Sequence, residues 1–228
     1  MIGSIIGYYY GRSNAMKQDS GLRGSALVAA IEADLLAGVC RPGEWLKQAD
    51  VEERYGANRF DVRMALLELK ARHLISHVRN RGYRVVNPSE REREELVQLR
   101  CILETAAIRM VAAKITRTEI AGLRGIVDEF SRHMEEGDLD RLRALNHLFH
   151  DRLYQACGND MLVAEIKAMR LRGLPGGGSA WKQISGIRRS DHDHRQILRL
   201  LTKRDADALE RLTVDHLNRW REAGGPTK

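Results

Sequence analysis

Residues 57–85 constrain the fold of this chain most tightly, because they join a capped, arginine-bearing amphipathic segment to a short basic hairpin. Asn58 is suited to accept a backbone N–H as a helix N-cap, and Asp61, three residues on, sits where a carboxylate favours the helix dipole. Val62, Leu66 and Leu69 then fall on one face that can pack inward, while Arg59 and Arg63, four residues apart, share another. Residues 75–78 and 83–86 are β-prone runs around Asn80-Arg81-Gly82, with Gly82 suited to a positive φ. Seven basic and two acidic side chains lie within residues 57–85, a local excess of +5 in a chain whose net charge is +7. A polyanion is the natural partner of such a segment. The first turns of the helix are the part that enters a major groove, where an Arg fork grips guanine or a phosphate, and the wing tip at Arg79, Arg81 and Gly82 is placed to follow the backbone or minor groove. The bland alternative for Arg59 and Arg63 is a solvated basic face.

Upstream, Leu27, Ile31 and Leu35 give an i, i+4, i+8 stripe that ends before the Arg41-Pro42-Gly43 turn. A short helix over 48–55 follows, with Gly56 placed as its C′ residue, so the turn into the Arg helix is tight. Together these elements predict a winged helix-turn-helix over residues 16–88. Trp45 is expected to pack under the wing. Ser13-Asn14-Ala15 before Met16 reads as a cloning scar, so residues 1–15 are set aside as vector-derived.

Pro88 and Ser89 mark a boundary, since Ser89 with Glu92 forms a capping box for a long helix. Leu96, Leu99, Leu103, Ala106 and Met110 stripe that helix, and Ile120, Leu123, Val127 and Phe130 stripe the next, which stops at Gly137. Asp138 caps a third helix ending near Cys157, and residues 160–172 make a fourth. Leu174-Pro175-Gly176-Gly177-Gly178-Ser179 breaks the pattern before two last helices over 190–201 and 205–223. The expected fold is therefore mainly α: a winged helix-turn-helix with a small β-hairpin wing, then an antiparallel bundle of about six to seven helices over residues 89–228.

Composition limits the remaining classes. With 228 residues and 43% hydrophobic side chains there is material for two small cores. Cys40, Cys101 and Cys157 are odd in number and widely spaced, which argues against a disulfide framework or thiolate zinc site and for a reducing cytoplasm. No apolar run reaches the roughly 18 residues a membrane span needs, so no membrane partner is expected.

The bundle carries its chemistry in histidines. Asn146 and His150 lie at i, i+4 on the third helix, His194 on the next-to-last and His216 on the last. Three imidazoles on three helices can converge to bind a divalent metal, with an Asn oxygen as a weaker fourth ligand, although a helical His is more often a satisfied polar residue. His147 and His192 are the neighbouring alternatives, and they point to other faces. Arg100 on an inward face needs a partner: a carboxylate ligand, or Glu104 at i+4. Glu129 and His133 look like a solvated pair with no function.

The Arg41-Pro42-Gly43 turn, Glu52 to Gly56, the Arg59-x-x-Val62-Arg63-x-Ala65-Leu66-x-x-Leu69 core and the Gly82-Tyr83-Arg84-Val85 wing resemble the DNA-binding domain of the GntR superfamily of bacterial transcription regulators, over roughly residues 22–88. Asn58 departs from the Ser or Thr usual there. Arg100-x-x-Leu103-Glu104, Asn146 to His150, Cys157-Gly158-Asn159 and His194-Arg195-Gln196-Ile197, with Asp205 and His216 at steps of eleven, resemble the FCD branch of that superfamily over residues 95–218. The resemblance implies a homodimeric regulator with Asn58, Arg59, Arg63, Arg79, Arg81 and Gly82 at a near-palindromic double-stranded DNA operator. It further implies a divalent metal (zinc, nickel or manganese) on Asn146, His150, His194 and His216, with a small carboxylate effector held by Arg100. The family's Asp is Asn146 here, which removes one negative charge from the site. Two other readings remain at this point: a helical-bundle metalloenzyme, disfavoured because no Glu-x-x-His occurs, and a constitutive DNA-binding regulator without an effector.

Overall fold

The computed structural model describes residues 21–173 and 184–219. They separate into two compact units at Pro88 and Ser89. The expectations for residues 1–15 and for the glycine run after Gly173 lie outside the described residues, as does the end of the last helix beyond residue 219.

The first unit begins with α1 (Gly24–Ala37), whose Leu27, Val28, Ile31 and Leu35 are buried. It ends because Gly38 turns left-handed at φ 75 and returns its N–H to Asp34 and Leu35 carbonyls. After the Arg41-Pro42-Gly43 turn come β1 (Trp45–Leu46) and α2 (Gln48–Tyr55). Gly56, at φ 61, stops α2. Its carbonyl packs so closely on Gly21 that a Cβ there would fall 1.5 Å from the oxygen, which leaves no alternative to glycine at position 21. α3 (Arg59–Ala71) follows, N-capped by Asn58, whose Oδ1 accepts the Asp61 N–H at 2.9 Å. Val62, Ala65, Leu66 and Leu69 are its buried face. The Gln48 amide donates to the Arg59 carbonyl at 3.0 Å and ties α2 to the start of α3.

The wing is a three-stranded antiparallel sheet of order β1-β3-β2, with β2 at Ile75–Val78 and β3 at Gly82–Val85. β1 was not foreseen, because two residues carry no alternation to detect; it pairs Trp45 with Arg84 and Leu46 with Tyr83. β3 starts one residue earlier than expected, since Gly82 already pairs with Val78. The connecting turn uses Asn80 at φ 63 as well as Gly82 at φ 93.

In the second unit six helices are described: α4 (Glu90–Lys114), α5 (Arg117–Glu136), α6 (Leu139–Gln155), α7 (Asp160–Gly173), α8 (Ile184–Lys203) and α9 (Ala206–Asn218). Capping boxes at Ser89/Glu92 and Thr116/Glu119 open α4 and α5. Asp138 and Asp205 cap α6 and α9. α4 packs on α6, α7 and α9, and α5 packs on α6 and α8. α8 begins at Ile184 rather than 190. Ile187 is buried and extends the apolar stripe by a turn, while Ser190 lies inside the helix and is itself buried.

The expected stripe on α4 is corrected more substantially. The buried face is Val97, Glu104, Ala107, Ile108, Val111 and Ala112. Leu99 is exposed, and Leu96, Leu103 and Met110 are only half-buried. Apolar periodicity selected the wrong face because a carboxylate, Glu104, sits at the centre of the true one.

Candidate functional site

In the first unit the helix cap, the helix and the wing set a group of basic residues on the outside. Arg59, Arg63, Arg79 and Arg81 are all exposed, and Gly82 is half-buried at the wing turn. Asn58 is exposed but engaged: besides capping, its amide donates to Asp61 Oδ2 at 2.6 Å. Two arginines counted in the local charge excess have structural duties. Arg72 pairs with both Glu32 and Glu68, and Arg84 donates to the Gly43 carbonyl at 2.6 Å. Trp45 underlies the wing. The guanidinium carbons of Arg81 and Arg84 lie 5.1 and 5.6 Å from its ring centroid, a cation–π arrangement that limits the freedom of Arg81 at the wing tip.

In the second unit three of the four expected ligand residues converge. His150 on α6, His194 on α8 and His216 on α9 each present a ring nitrogen, all three within 4.8 Å of one another. The Nε2 atoms of His150 and His194 face each other at 3.3 Å. Two nitrogens bound to one tetrahedral metal at about 2.0–2.1 Å would lie roughly 3.4 Å apart, so this separation suits a shared cation. The Nδ1 atoms of both rings are buried without a hydrogen-bond partner. The protein alone therefore completes the bonding of neither imidazole. Burial, followed for His150 by the Arg170 charge and for His194 by the His216 charge, pushes both rings well below the ordinary histidine pKa and keeps them neutral, the form that ligates.

His216 is oriented by Asp193, a residue the sequence reading passed over. Its Nδ1 donates to Asp193 Oδ2 at 2.8 Å, and Arg219 reaches the same oxygen at 2.6 Å. A carboxylate behind one ring nitrogen leaves Nε2 for a ligand and makes it more basic. Asn146 is half-buried one turn before His150 on α6. His147 is buried but is not one of the converging three; burial, then Arg170 and Arg100, lowers its pKa to about 3. His192 is exposed.

Arg100 has a partner within the protein. Its Nε donates to Glu104 Oε1 at 2.8 Å, the Tyr154 hydroxyl donates to Oε2 at 2.7 Å, and Arg170 on α7 stands 3.5 Å from Oε2. Glu104 is 1% exposed. Burial alone would raise its pKa, yet Arg100, Arg170 and the Tyr154 hydrogen bond outweigh that and hold it below the carboxylate range. Two guanidiniums share the Glu104 carboxylate, and Asp151 acts on Arg170 as well. Arg170 was missed, although it sits on the same stripe as Ile166 and Met169, and a cation on an apolar stripe is the signal for a buried partner. The pair of Glu129 and His133 is not solvated as expected. Both are largely shielded, with Arg141 on Glu129 at 2.5 Å and Glu136 on His133 at 2.7 Å.

Comparison with known proteins matches residues 24–85 to bacterial regulatory proteins of the gntR family and residues 95–219 to the FCD domain. The chain is 24% identical over 162 residues to the HTH-type transcriptional regulator McbR of Escherichia coli (strain K12), covering 71% of this chain and 73% of that protein. It is 26% identical over 198 residues to the HTH-type transcriptional repressor RspR of the same strain, covering 85% of each. It is 25% identical over 181 residues to the Nta operon transcriptional regulator of Aminobacter aminovorans, covering 78% and 83%. Among solved structures, E. coli McbR/YncC aligns with a TM-score of 0.78 at 20% identity over 85% of this chain and 92% of that one. A GntR regulator from Rhodococcus sp. RHA1 aligns at 0.72 and 19% identity, over 90% and 98%. These relatives are transcriptional regulators, not enzymes, so the metalloenzyme reading is set aside.

Proposed function

Because the chain belongs to the gntR family of bacterial transcriptional regulators and carries an FCD domain, we propose that its operator affinity is controlled by a small carboxylate bound beside a divalent metal in the helical unit. The observation that carries this reading is the convergence of His150, His194 and His216 within 4.8 Å of one another. Asn146 supplies a weaker fourth ligand. Three imidazoles and an amide would place no anionic atom directly on the cation and would leave coordination positions open, which favours an anionic oxygen ligand from outside. The Arg100 and Arg170 pair on Glu104 adds to the positive field there. A bound metal would supply a Lewis-acid anchor for the effector's carboxylate; Asp193 keeps His216 in the ligating tautomer, and Glu104 with Tyr154 sets the direction of the Arg100 fork.

Asn58, Arg59, Arg63, Arg79, Arg81 and Gly82 form the operator-reading surface. Asn58 fixes the first turn, Arg59 and Arg63 contact base edges or phosphates, and the wing tip follows the backbone. The protein acts as a homodimer on a near-palindromic site. A half-exposed apolar face on α4, with Leu99 42% and Ile102 66% exposed, supports a second copy as its cover. Regulation is then a coupling free energy: the effector must bind two arrangements of the dimer unequally.

Calorimetry with di- and hydroxycarboxylates, run on metal-loaded and chelated protein, tests the site. The expected result is binding to the loaded form that weakens after chelation and in Arg100→Lys, since an ammonium lacks the guanidinium fork. Equal binding to the chelated protein would remove the metal from the effector site, and no binding by the whole panel would leave the reading of a constitutive regulator without an effector.

A further inference from the structure

The outward face of α3 is not uniformly basic. Phe60 is 64% exposed, Met64 47% and Leu67 44%, spaced i, i+4, i+7. At about 100° per residue, Phe60 points roughly 170° away from the mean direction of the buried residues Val62, Ala65, Leu66 and Leu69. It therefore stands at the crest of the helix, in the first turn, with exposed Arg59 and Arg63 beside it. Isolated exposed apolar residues are ordinary, but three aligned on one face of a capped helix form a strip that water leaves unsatisfied. The flanking arginines and the positive helix N-terminus specify an anionic occupant. An occupant that is anionic along its backbone and apolar at its reading surface is duplex DNA with thymines in the major groove. The C5 methyl of thymine is the apolar group that this groove displays among its hydrogen-bond donors and acceptors.

We infer that Phe60, with Met64 one turn behind it, selects thymine in each operator half-site by packing on the C5 methyl group, while Arg59 and Arg63 supply the polar and phosphate contacts. This rests on the reading of α3 as the groove-entering helix. The Phe60 ring offers a contact that a small hydroxyl residue would not, so the specificity of this chain at that position is for a methyl group rather than a hydrogen-bonding edge.

The test uses the full chain and a randomised duplex library, selected in parallel with the unaltered protein and with Phe60→Ala. Each enriched thymine is then replaced by uracil, which removes the methyl alone. The expected result is a thymine fixed in each half-site for the unaltered protein, and a loss of about fourfold in affinity per uracil there, equivalent to about 0.8 kcal/mol for one methyl group. Phe60→Ala should bind thymine and uracil duplexes equally, with Phe60→Leu intermediate. The inference is overturned if no uracil replacement weakens the unaltered protein, or if Phe60→Ala keeps the same thymine-to-uracil ratio. It is also overturned if Phe60→Ala changes the sedimenting mass without DNA, which would make the strip a protein contact. Should the unaltered protein enrich no sequence, the assignment of α3 itself fails, an outcome distinct from enrichment indifferent to the methyl.

Discussion

The Nε2 atoms of His150 and His194 face each other at 3.3 Å across α6 and α8, while the Nδ1 atom of each ring is buried without a partner. Left to itself, such a pair can form one hydrogen bond, and it strands a bare acceptor and an unused donor in the interior, each costing about 1–3 kcal/mol. A cation between the Nε2 atoms removes the conflict on that side. Protein purified without chelator should therefore carry zinc, nickel or manganese by elemental analysis. Single alanine variants at His150, His194 and His216 should lose metal and melting temperature together, because a ligand bound only to the native state stabilises it by mass action. Asn146→Asp should tighten binding by restoring an anionic oxygen. Unchanged metal content in the triple-alanine variant would dispose of the centre.

Arg59→Ala and Arg63→Ala should each weaken operator binding by at least ~1–3 kcal/mol, the value of a bidentate base contact. Both side chains are exposed, so the fold should be unaffected, and circular dichroism should superimpose on that of the parent. Anisotropy titration that found either variant binding as the parent does would remove that residue from the operator surface.

Glu104→Gln should be strongly destabilising, on the order of 3–5 kcal/mol, because it leaves the buried guanidinium of Arg170 and the half-buried one of Arg100 without their carboxylate. The pH dependence follows from the same network. The Glu104 carboxyl is held below its ordinary 4.5, so the unfolded chain takes up a proton more readily than the folded one. Its stabilisation is thus fully present above that pH and fades as pH falls through the lower folded value. Urea midpoints measured across pH 3–6 should decline toward acid in the parent, and less so in Glu104→Gln. A parallel decline in both would show that Glu104 contributes no linkage.

Ile102→Asp should shift the protein from dimer toward monomer in sedimentation, because it charges the half-exposed apolar face of α4. A dimer indifferent to this change would locate the two-fold contact elsewhere, and a monomeric parent would overturn the homodimer reading.

Most of the frame was legible because its punctuation is local. Asn58, Ser89 and Asp138 accept N–H groups where their spacing suggests, and Gly56 and Gly137 take the left-handed φ that closes a helix; Asp205 and Gly38 do the same without having been singled out. What stayed hidden was long-range. β1 exists only because Trp45 and Leu46 meet β3, some forty residues later. The true face of α4 is masked by Glu104, whose burial makes sense only with Arg170 on α7 and Tyr154 on α6 in view. Asp193 looks like one more helical acid until His216, from α9, is placed against it. The convergence of the three histidines, suggested by spacing and by family likeness, became a geometric fact only with α6, α8 and α9 packed.

The most direct test joins the two units through one quantity, the dissociation constant for a duplex selected by the protein itself. It is measured for metal-loaded parent and for the His150, His194, His216 triple-alanine variant, with and without a carboxylate that binds the parent. The carboxylate is expected to change the parent's operator affinity by a factor of about 5 to 150 and to leave that of the variant unchanged. An operator affinity in the parent that is the same with and without bound carboxylate would contradict this.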